Sequence, residues 1–248
     1  ALRPAYESQG REYPPHGRGA LQGRRQGIAP GVGQAGNRFA QHKGHARVTL
    51  AIIDSGGANI SSVKYALRRL GADPVFTSDA AVIRSADRVI LPGVGAAGAA
   101  MSRLHTLGLF ECIRELQQPV LGICLGMQLL FERSEEDLRT GGVRCLGIIP
   151  GILRKLEPSA QIRIPHMGWN TTSRVKDDPL LSGLPDHPWF YFVHSYRAPT
   201  GASTLATCTH GETFAAIVKQ QNFYGAQFHP ERSAGDGARI LANFLDIR

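Results

Sequence analysis

The chain has 248 residues, of which 42% are hydrophobic and 19% are charged. This composition supports a packed core and excludes a wholly disordered or collagen-like protein. No run approaches 18 uninterrupted apolar residues, which argues against a transmembrane helix, and no apolar segment follows the first basic residues as a signal peptide requires. Cys112, Cys124, Cys145 and Cys208 fit neither a disulfide framework nor a CxxC zinc site, so we expect free thiols and a cytoplasmic location.

The net charge of +8 is concentrated at one end of the chain. Residues 1–47 carry eight Lys or Arg against two Glu, a charge of +6, whereas the other residues carry 20 basic and 18 acidic groups, a charge of +2. This basic segment holds nine Gly and four Pro and shows no sustained periodicity, which predicts disorder. A basic arm for RNA or for an acidic partner is one interpretation; a dispensable extension or a translated upstream stretch is the one we favour. We therefore expect one near-neutral domain, 48–248, and the charge distribution argues against nucleic acid as a partner.

Short apolar runs alternate with helical patterns in the first half of this domain. The runs Val48–Ile53, Arg88–Leu91 and Pro119–Ile123 are typical of strands that are buried on both faces. Helices are predicted from about Asn59 to Gly71 and near 97–117. This β-α-β alternation predicts an α/β fold with a parallel sheet and right-handed crossovers.

The second half is richer in strand signals. The runs Trp189–Val193, Phe214–Val218 and Tyr224–Phe228 predict strands, and an amphipathic pattern near 236–247 predicts a final helix.

Two stretches match the GxGxxG dinucleotide pattern, Gly31–Gly36 and Gly93–Gly98. The first has no strand before it, and the second follows the third strand and has Gln117 and Gln118, not an acid, near the ribose-binding position. We interpret the second stretch as backbone that can approach a ligand or change conformation.

The stretch Gly122-Ile-Cys-Leu-Gly126 lies between an apolar strand and the helical run Met127–Phe131. It has the shape of a nucleophile elbow with Cys124 as the nucleophile. The N-terminus of the following helix favours a thiolate, and the N–H of Leu125 would point to a developing oxyanion. The other three cysteines are predicted to be structural.

A thiol nucleophile needs a base, and His229 is the leading candidate among nine histidines. It ends an apolar strand, and Glu231 lies two residues further on, where a carboxylate can fix the imidazole tautomer. By contrast, His105, His187 and His210 stand in polar or loop surroundings without an organising partner. The sequence therefore predicts a Cys–His–Glu arrangement.

Several stretches resemble a known family. Gly122–Phe131 and Phe228–Glu231 resemble the triad (class I) glutamine amidotransferases, while Leu91–Gly95, Pro165–Asn170 and Tyr191–Tyr196 are similar to the glutaminase subunits of imidazole glycerol phosphate synthases in histidine biosynthesis. The similarity spans essentially the whole predicted domain. It implies a flavodoxin-like α/β fold, with a central, mostly parallel sheet flanked by helices and extra antiparallel strands in the C-terminal half.

The resemblance also implies an activity and a site. Cys124 would attack the carboxamide of L-glutamine to form a thioester, His229 would carry the proton, and Glu231 would orient His229. The implied oxyanion donors are backbone groups of Gly93, Val94, Gly95 and Leu125. The implied substrate-binding residues are Gln128, Glu136, Ser195 and Tyr196. No cofactor or metal ion is implied.

The implied partner is a cyclase (HisF-type) barrel subunit, bound as a heterodimer. It would use the ammonia to convert a phosphorylated ribulosyl aminoimidazole-carboxamide nucleotide (PRFAR) to imidazole glycerol phosphate and AICAR. The candidates for the docking face around the ammonia exit are Asn59, Met167, Gly168, Trp169, Asn170 and Tyr191; ordinary packing accounts for them equally well. The run Asp54–Asn59 departs from the family pattern, which affects the partner-facing loop, and residues 1–47 have no counterpart in it.

Other functions fit parts of the sequence. A glutaminase subunit of another synthase, of the anthranilate or GMP type, would share the elbow and the histidine. A glutamine-binding scaffold without activity would not need all three triad residue types. Pro165–Asn170 and Tyr191–Tyr196 favour the imidazole glycerol phosphate synthase subunit.

Overall fold

The computed structural model describes residues 48–56, 60–137 and 141–247. The predicted disordered extension 1–47 and the predicted docking residue Asn59 lie outside the described residues.

The described chain alternates strands and helices through its first half and is mainly strand in its second. The strands are β1 (Leu50–Ile53), β2 (Val75–Thr77), β3 (Arg88–Gly93), β4 (Val120–Cys124), β5 (Phe131–Ser134), β6 (Val143–Arg144), β7 (Ile149–Lys155), β8 (His166–Thr171), β9 (Ser173–Arg174), β10 (Trp189–His194), β11 (Tyr196–Arg197), β12 (Thr204–His210), β13 (Glu212–Gln220) and β14 (Phe223–Ala226). The helices are α1 (Ile60–Arg69), α2 (Ala80–Ser85), α3 (Ala97–Thr106), α4 (Leu109–Arg114), α5 (Leu125–Leu129) and α6 (Ala234–Asp246).

The main sheet has eight strands in the order β2-β1-β3-β4-β14-β13-β12-β9. The first five pair in parallel, and β13, β12 and β9 continue the sheet by antiparallel pairing. Two smaller sheets accompany it, one formed by β10 and β8 and the other by β11, β7, β5 and β6. The predicted α/β fold, with a mostly parallel centre and antiparallel strands in the C-terminal half, is confirmed.

Both faces of the main sheet are buried, which explains why its central strands are continuous apolar runs. Leu50 and Ile52 of β1 face a cluster completed by α1 and α6, while Ala51 and Ile53 face the opposite cluster, which includes residues of α2, α3, α4 and α5. The carboxyl ends of β3 and β4 therefore emerge between two helical layers, where ligands bind in open α/β sheets.

The helices predicted near 97–117 are α3 and α4, which are separated at Gly108, where φ is 65°. The prediction that the helical run Met127–Phe131 extends to Phe131 is wrong, since α5 ends at Leu129 and Phe131 begins β5. Phe131 is fully buried and pairs in parallel with Ile149, so strand pairing overrides the local pattern.

None of the helices within the described ranges is long and apolar enough to cross a membrane.

Candidate active site

Cys124 is the last residue of β4 and adopts a φ of 53°, a conformation that costs energy for a residue with a side chain. The sharp turn works because its neighbours are glycines. A Cβ at Gly126 would lie 1.8 Å from the carbonyl oxygen of Leu91, and one at Gly122 would lie 2.7 Å from the Gly126 backbone. The elbow predicted from the sequence thus depends on two glycines for close backbone approach.

His229 follows β14 and lines the same cavity as Cys124, whose interaction with the imidazole raises the pKa of His229. A single 3-10 turn over Pro230–Arg232 brings Glu231 back to the ring, so that Nδ1 of His229 is 2.9 Å from Oε1 of Glu231. The backbone holds the ring in place, because the N–H of His229 donates to the carbonyl of Tyr191 over 2.9 Å. The predicted grouping of Cys124, His229 and Glu231 is therefore present in the structure.

The electrostatics of this group favour a charged imidazole. Burial by itself lowers the pKa of His229, but hydrogen bonds with Cys124 and Glu231, together with their charges, raise it to about 10. Helix α5 has only five residues, so its dipole acts over a short length. The arrangement therefore suits an imidazolium beside the nucleophile.

A cavity of about 360 Å³ opens in front of the thiol. Its lining comprises Val94, Gly95, Cys124, Leu125, Gln128, Glu136, Pro165, Val193, His194, Ser195, Tyr196 and His229. Every predicted substrate-binding residue is among them. Of the predicted oxyanion residues, Val94, Gly95 and Leu125 line the cavity, whereas Gly93 ends β3 and packs against the elbow.

Gln128 is tied to the wall of the cavity and to the nucleophile. Its Nε2 donates to the carbonyl of Tyr196 over 3.0 Å and to Oε1 of Gln227 over 2.9 Å. Nε2 of Gln227 in turn lies 3.9 Å from Sγ of Cys124. The position of the Gln128 side chain is thus coupled to Tyr196 and, through Gln227, to the thiol.

Glu136 reaches the cavity from the turn after β5. Its Oε2 accepts a hydrogen bond from the N–H of Ala97, the first residue of α3. Its own N–H donates to Oγ of Ser134 over 3.1 Å. The carboxylate therefore stands beside the loop 93–96 and can offer negative charge to a cationic group in the cavity.

The predicted docking residues divide into two groups. Met167 and Trp169 are 64% and 48% exposed, and Tyr191 lies opposite Trp169 with ring centroids 6.0 Å apart. Gly168 and Asn170 occupy the alternate positions of β8, and the Asn170 side chain is hydrogen-bonded to the protein.

The sequence analysis missed Trp189, which is also exposed and lies on the same face of β10 as Tyr191, two positions away. We call the exposed surface of Met167, Trp169, Trp189 and Tyr191 the aromatic face.

Sequence reasoning also missed two buried histidines. Nδ1 of His166 lies 3.0 Å from Nε2 of His194, which lines the cavity. Burial, followed by the charges of neighbouring histidines, lowers the pKa of His166 to about 3; burial above all lowers that of His194 to about 4. Both imidazoles are therefore neutral near pH 7. The pairing depends on the register of β8 against β10, which places the two residues opposite each other.

The expectation for His210 was wrong. Its ring stacks on that of His166 with centroids 4.1 Å apart, and its Nε2 lies 2.9 Å from the carbonyl oxygen of Arg163. Across the parts of the chain that the structure describes, no group of three or more His, Cys, Asp or Glu is placed to hold a metal ion.

The chain is similar to known proteins of one family. Residues 51–247 match the family described as glutamine amidotransferase class-I. A protein of Xanthomonas axonopodis pv. citri named imidazole glycerol phosphate synthase subunit HisH is 59% identical over 198 residues, which are 80% of this chain and 97% of that protein. A protein of the same name from Xylella fastidiosa (strain Temecula1) is 54% identical over the same shares.

Similar folds occur among solved structures. The crystal structure of a putative GMP synthase protein from Thermoplasma acidophilum matches with a TM-score of 0.61 at 20% identity, covering 82% of this chain and 94% of that one. At this identity the likeness establishes the fold alone.

Proposed function

We propose that Cys124, His229 and Glu231 carry the glutaminase reaction of this chain. The chain belongs to the class I glutamine amidotransferases and, among them, to the HisH subunits of imidazole glycerol phosphate synthase. The observation that carries this assignment is that Cys124 and His229 line the same 360 Å³ cavity while His229 is hydrogen-bonded to Glu231. The other three cysteines are buried away from this cavity, and burial raises the pKa of each of them.

In the proposed acylation step, Sγ of Cys124 attacks the carboxamide carbon of glutamine. Nε2 of His229 already holds the proton of the thiol before the attack, because the pKa of His229 is raised to about 10 and Nδ1 is engaged with Glu231. The carbonyl electrons move to oxygen, and the N–H of Leu125 together with backbone groups at 94–95 stabilises that oxyanion. When the C–N bond breaks, His229 returns the proton to the departing nitrogen, ammonia leaves, and a γ-glutamyl thioester remains on Cys124.

In the proposed deacylation step, water attacks the thioester carbon and gives a proton to His229. The C–S bond breaks, glutamate leaves, and the thiolate of Cys124 again faces the protonated His229. Glu231 keeps the imidazole in the tautomer and orientation that both steps need.

The amino-acid end of glutamine is proposed to bind at the opposite side of the cavity. The carboxylate of Glu136 suits the α-ammonium group, and the polar groups of Gln128, Ser195 and Tyr196 complete the pocket.

We further propose that the aromatic face docks a HisF-type cyclase subunit, so that the two chains form a heterodimer. Tyr191 links this face to the reaction site, because its carbonyl accepts the N–H of His229. Exposed aromatic residues and methionine are enriched at protein interfaces. Ammonia released at Cys124 would pass to the cyclase for the conversion of PRFAR to imidazole glycerol phosphate and AICAR.

Two further proposals concern the chain as a whole. Residues 48–248 form the amidotransferase domain, an assignment supported by the family match over 51–247. The four cysteines are free within the described residues, which favours a reducing compartment and leads us to propose the cytoplasm.

Glutamate release tests the proposal. Wild-type chain should release glutamate from glutamine, more rapidly when the cyclase and its acceptor ligand are present, and Cys124→Ala should abolish release. Trp169→Ala should weaken cyclase binding by about thirtyfold or more while the isolated chain keeps its activity. Phe76→Ala, at a partly exposed aromatic residue on the β2 edge strand, is the matched control. Activity that ignores the cyclase would contradict the pathway assignment, and activity in Cys124→Ala would contradict the mechanism.

A further inference from the structure

The hydrogen bonds around the two buried histidines have a definite direction. The amide orientation of Asn170 is fixed, because its Oδ1 accepts the N–H of Thr171 over 2.8 Å and its Nδ2 faces the carbonyl oxygen of Thr209 at 3.0 Å. Nδ2 also lies 3.3 Å from Nε2 of His166. Since Nδ2 can only donate, Nε2 of His166 must accept.

This fixes both imidazole tautomers. A neutral His166 that accepts at Nε2 carries its proton on Nδ1 and donates it to Nε2 of His194, 3.0 Å away. His194 then carries its proton on Nδ1, and that atom lies 2.9 Å from the carbonyl oxygen of Tyr196, which can only accept. Every group in the series has a compatible partner, and the low pKa values of both histidines agree with neutral rings.

The two ends of this series lie at different places. Asn170 belongs to β8, next to Trp169 of the aromatic face. At the other end, the carbonyl oxygen of Tyr196 accepts from His194 and also from Nε2 of Gln128, a residue of the cavity wall. The carbonyl of Tyr196 is therefore the junction between the histidine pair and the glutamine pocket.

We propose that Asn170, His166 and His194 form a directed hydrogen-bond relay that positions the Tyr196 carbonyl and Gln128. The relay connects β8, which carries Met167 and Trp169 of the aromatic face, to the glutamine pocket. The three relay residues are positioning residues, and their place in glutamine binding rests on the function proposed above. A relay of this kind fails when one donor becomes an acceptor, even if no side chain changes its size.

Asn170→Asp makes that change. An Asp oxygen at the Nδ2 position cannot donate to Nε2 of His166, so the direction of the relay must reverse and the hydrogen bond from His194 to the Tyr196 carbonyl is lost. We expect the KM for glutamine of the full chain to rise about tenfold, with kcat changed less than about threefold, because a lost hydrogen bond is worth about one decade in binding.

His210→Phe is the matched control. It keeps an aromatic ring stacked on His166 but removes an imidazole that shares no hydrogen bond with the relay. Its KM should stay within about twofold of the wild-type value.

Two further measurements separate a relay from loss of packing. His166→Phe keeps a ring against Phe192, whose centroid lies 4.7 Å from that of His166, and removes both relay hydrogen bonds. It should raise KM as Asn170→Asp does, and the double variant should be no worse than either. Nitrogen-15 NMR at neutral pH should show Nδ1–H tautomers for both His166 and His194 in the wild type, and Nε2–H tautomers for both in Asn170→Asp.

Additive effects on KM, unchanged KM in a folded Asn170→Asp, or Nε2–H tautomers in the wild type would each overturn the relay. The tautomers are observed whether or not the chain hydrolyses glutamine, so failure of the proposed function and failure of the relay give different results. Glutamate release at the wild-type rate by Cys124→Ala would contradict the proposed function, and the NMR measurement would still test the relay.

Discussion

Glu231 binds the imidazole of His229 from only two residues away along the chain. The 3-10 turn that begins at Pro230 folds the carboxylate back, and the distance from Oε1 to Nδ1 is 2.9 Å. The side chains are almost fully buried, so water competes weakly for either group. In the proposed reaction, a buried carboxylate at this atom selects the tautomer of His229 and stabilises its imidazolium.

Glu231→Gln should therefore lower kcat for glutamine hydrolysis by about a hundredfold or more, the usual scale of a general base that loses its orientation and charge. The pKa of His229 should fall, because the Glu231 hydrogen bond and charge help to raise it. Glutamate release as a function of pH measures both effects. A kcat within a few-fold of the wild-type value would contradict the assigned role of Glu231.

The Glu136 carboxylate accepts a hydrogen bond from Ala97 and is proposed to bind the α-ammonium group of glutamine, and two substitutions separate these roles. Glu136→Gln keeps an oxygen that can accept from the N–H of Ala97 but removes the charge proposed to bind the α-ammonium of glutamine. We expect its KM to rise tenfold or more with little loss of thermal stability. Glu136→Ala should show the same KM defect and also a loss of about 1 kcal/mol in unfolding free energy, because the N–H of Ala97 loses its hydrogen bond to the Glu136 carboxylate. Equal KM values for Glu136→Gln and the wild type would contradict the substrate contact.

The elbow glycines should tolerate no side chain. A methyl group at Gly126 would lie 1.8 Å from the carbonyl oxygen of Leu91, which is backbone and cannot yield without moving β3. Gly126→Ala should lose about 3 kcal/mol or more of unfolding free energy, together with its glutaminase activity. Gly235→Ala is the control, since an added methyl group meets nothing within 4 Å there. Comparable stability of the two variants in denaturant titrations would show that the close approach is not rigid.

The neutral histidine pair predicts how stability depends on pH. His166 and His194 have lowered pKa values in the folded chain, so their contribution is complete above the unfolded value near 6.5 and is lost as the pH falls from there toward 4 and 3. The raised pKa of His229 acts in the opposite sense, but its contribution is complete below pH 6.5 and is lost only as the pH rises toward 10. We expect the unfolding free energy to fall by about 2 kcal/mol between pH 7 and pH 5.5.

Denaturant titrations at the two pH values test this, with His166→Phe as the comparison. Removal of one of the two groups should reduce the fall by more than half, because the opposing contribution of His229 remains. An unfolding free energy that stays constant or rises between pH 7 and pH 5.5 would show that the pair is not held neutral.

The sequence alone was sufficient for features whose determinants are local. The elbow around Cys124 and the pair His229 and Glu231 are set by residues within a few positions of one another, and both were predicted. The end of α5 was misplaced, because Phe131 is recruited to β5 by a distant strand. The partners of His166 and His194 depend on the antiparallel register of β8 against β10, which no local pattern fixes. The contact from Glu136 to Ala97 likewise joins residues 39 positions apart, and the family resemblance placed Glu136 near the substrate without predicting this contact.

The central claim is that Cys124 forms the covalent intermediate, and mass spectrometry tests it most directly. Full-length chain mixed with glutamine and quenched in acid, then digested and mapped, should carry a γ-glutamyl adduct on the peptide that contains Cys124. The adduct should be absent from Cys124→Ala and from the peptides of Cys112, Cys145 and Cys208. An adduct on one of those three cysteines, or turnover by Cys124→Ala, would contradict the account.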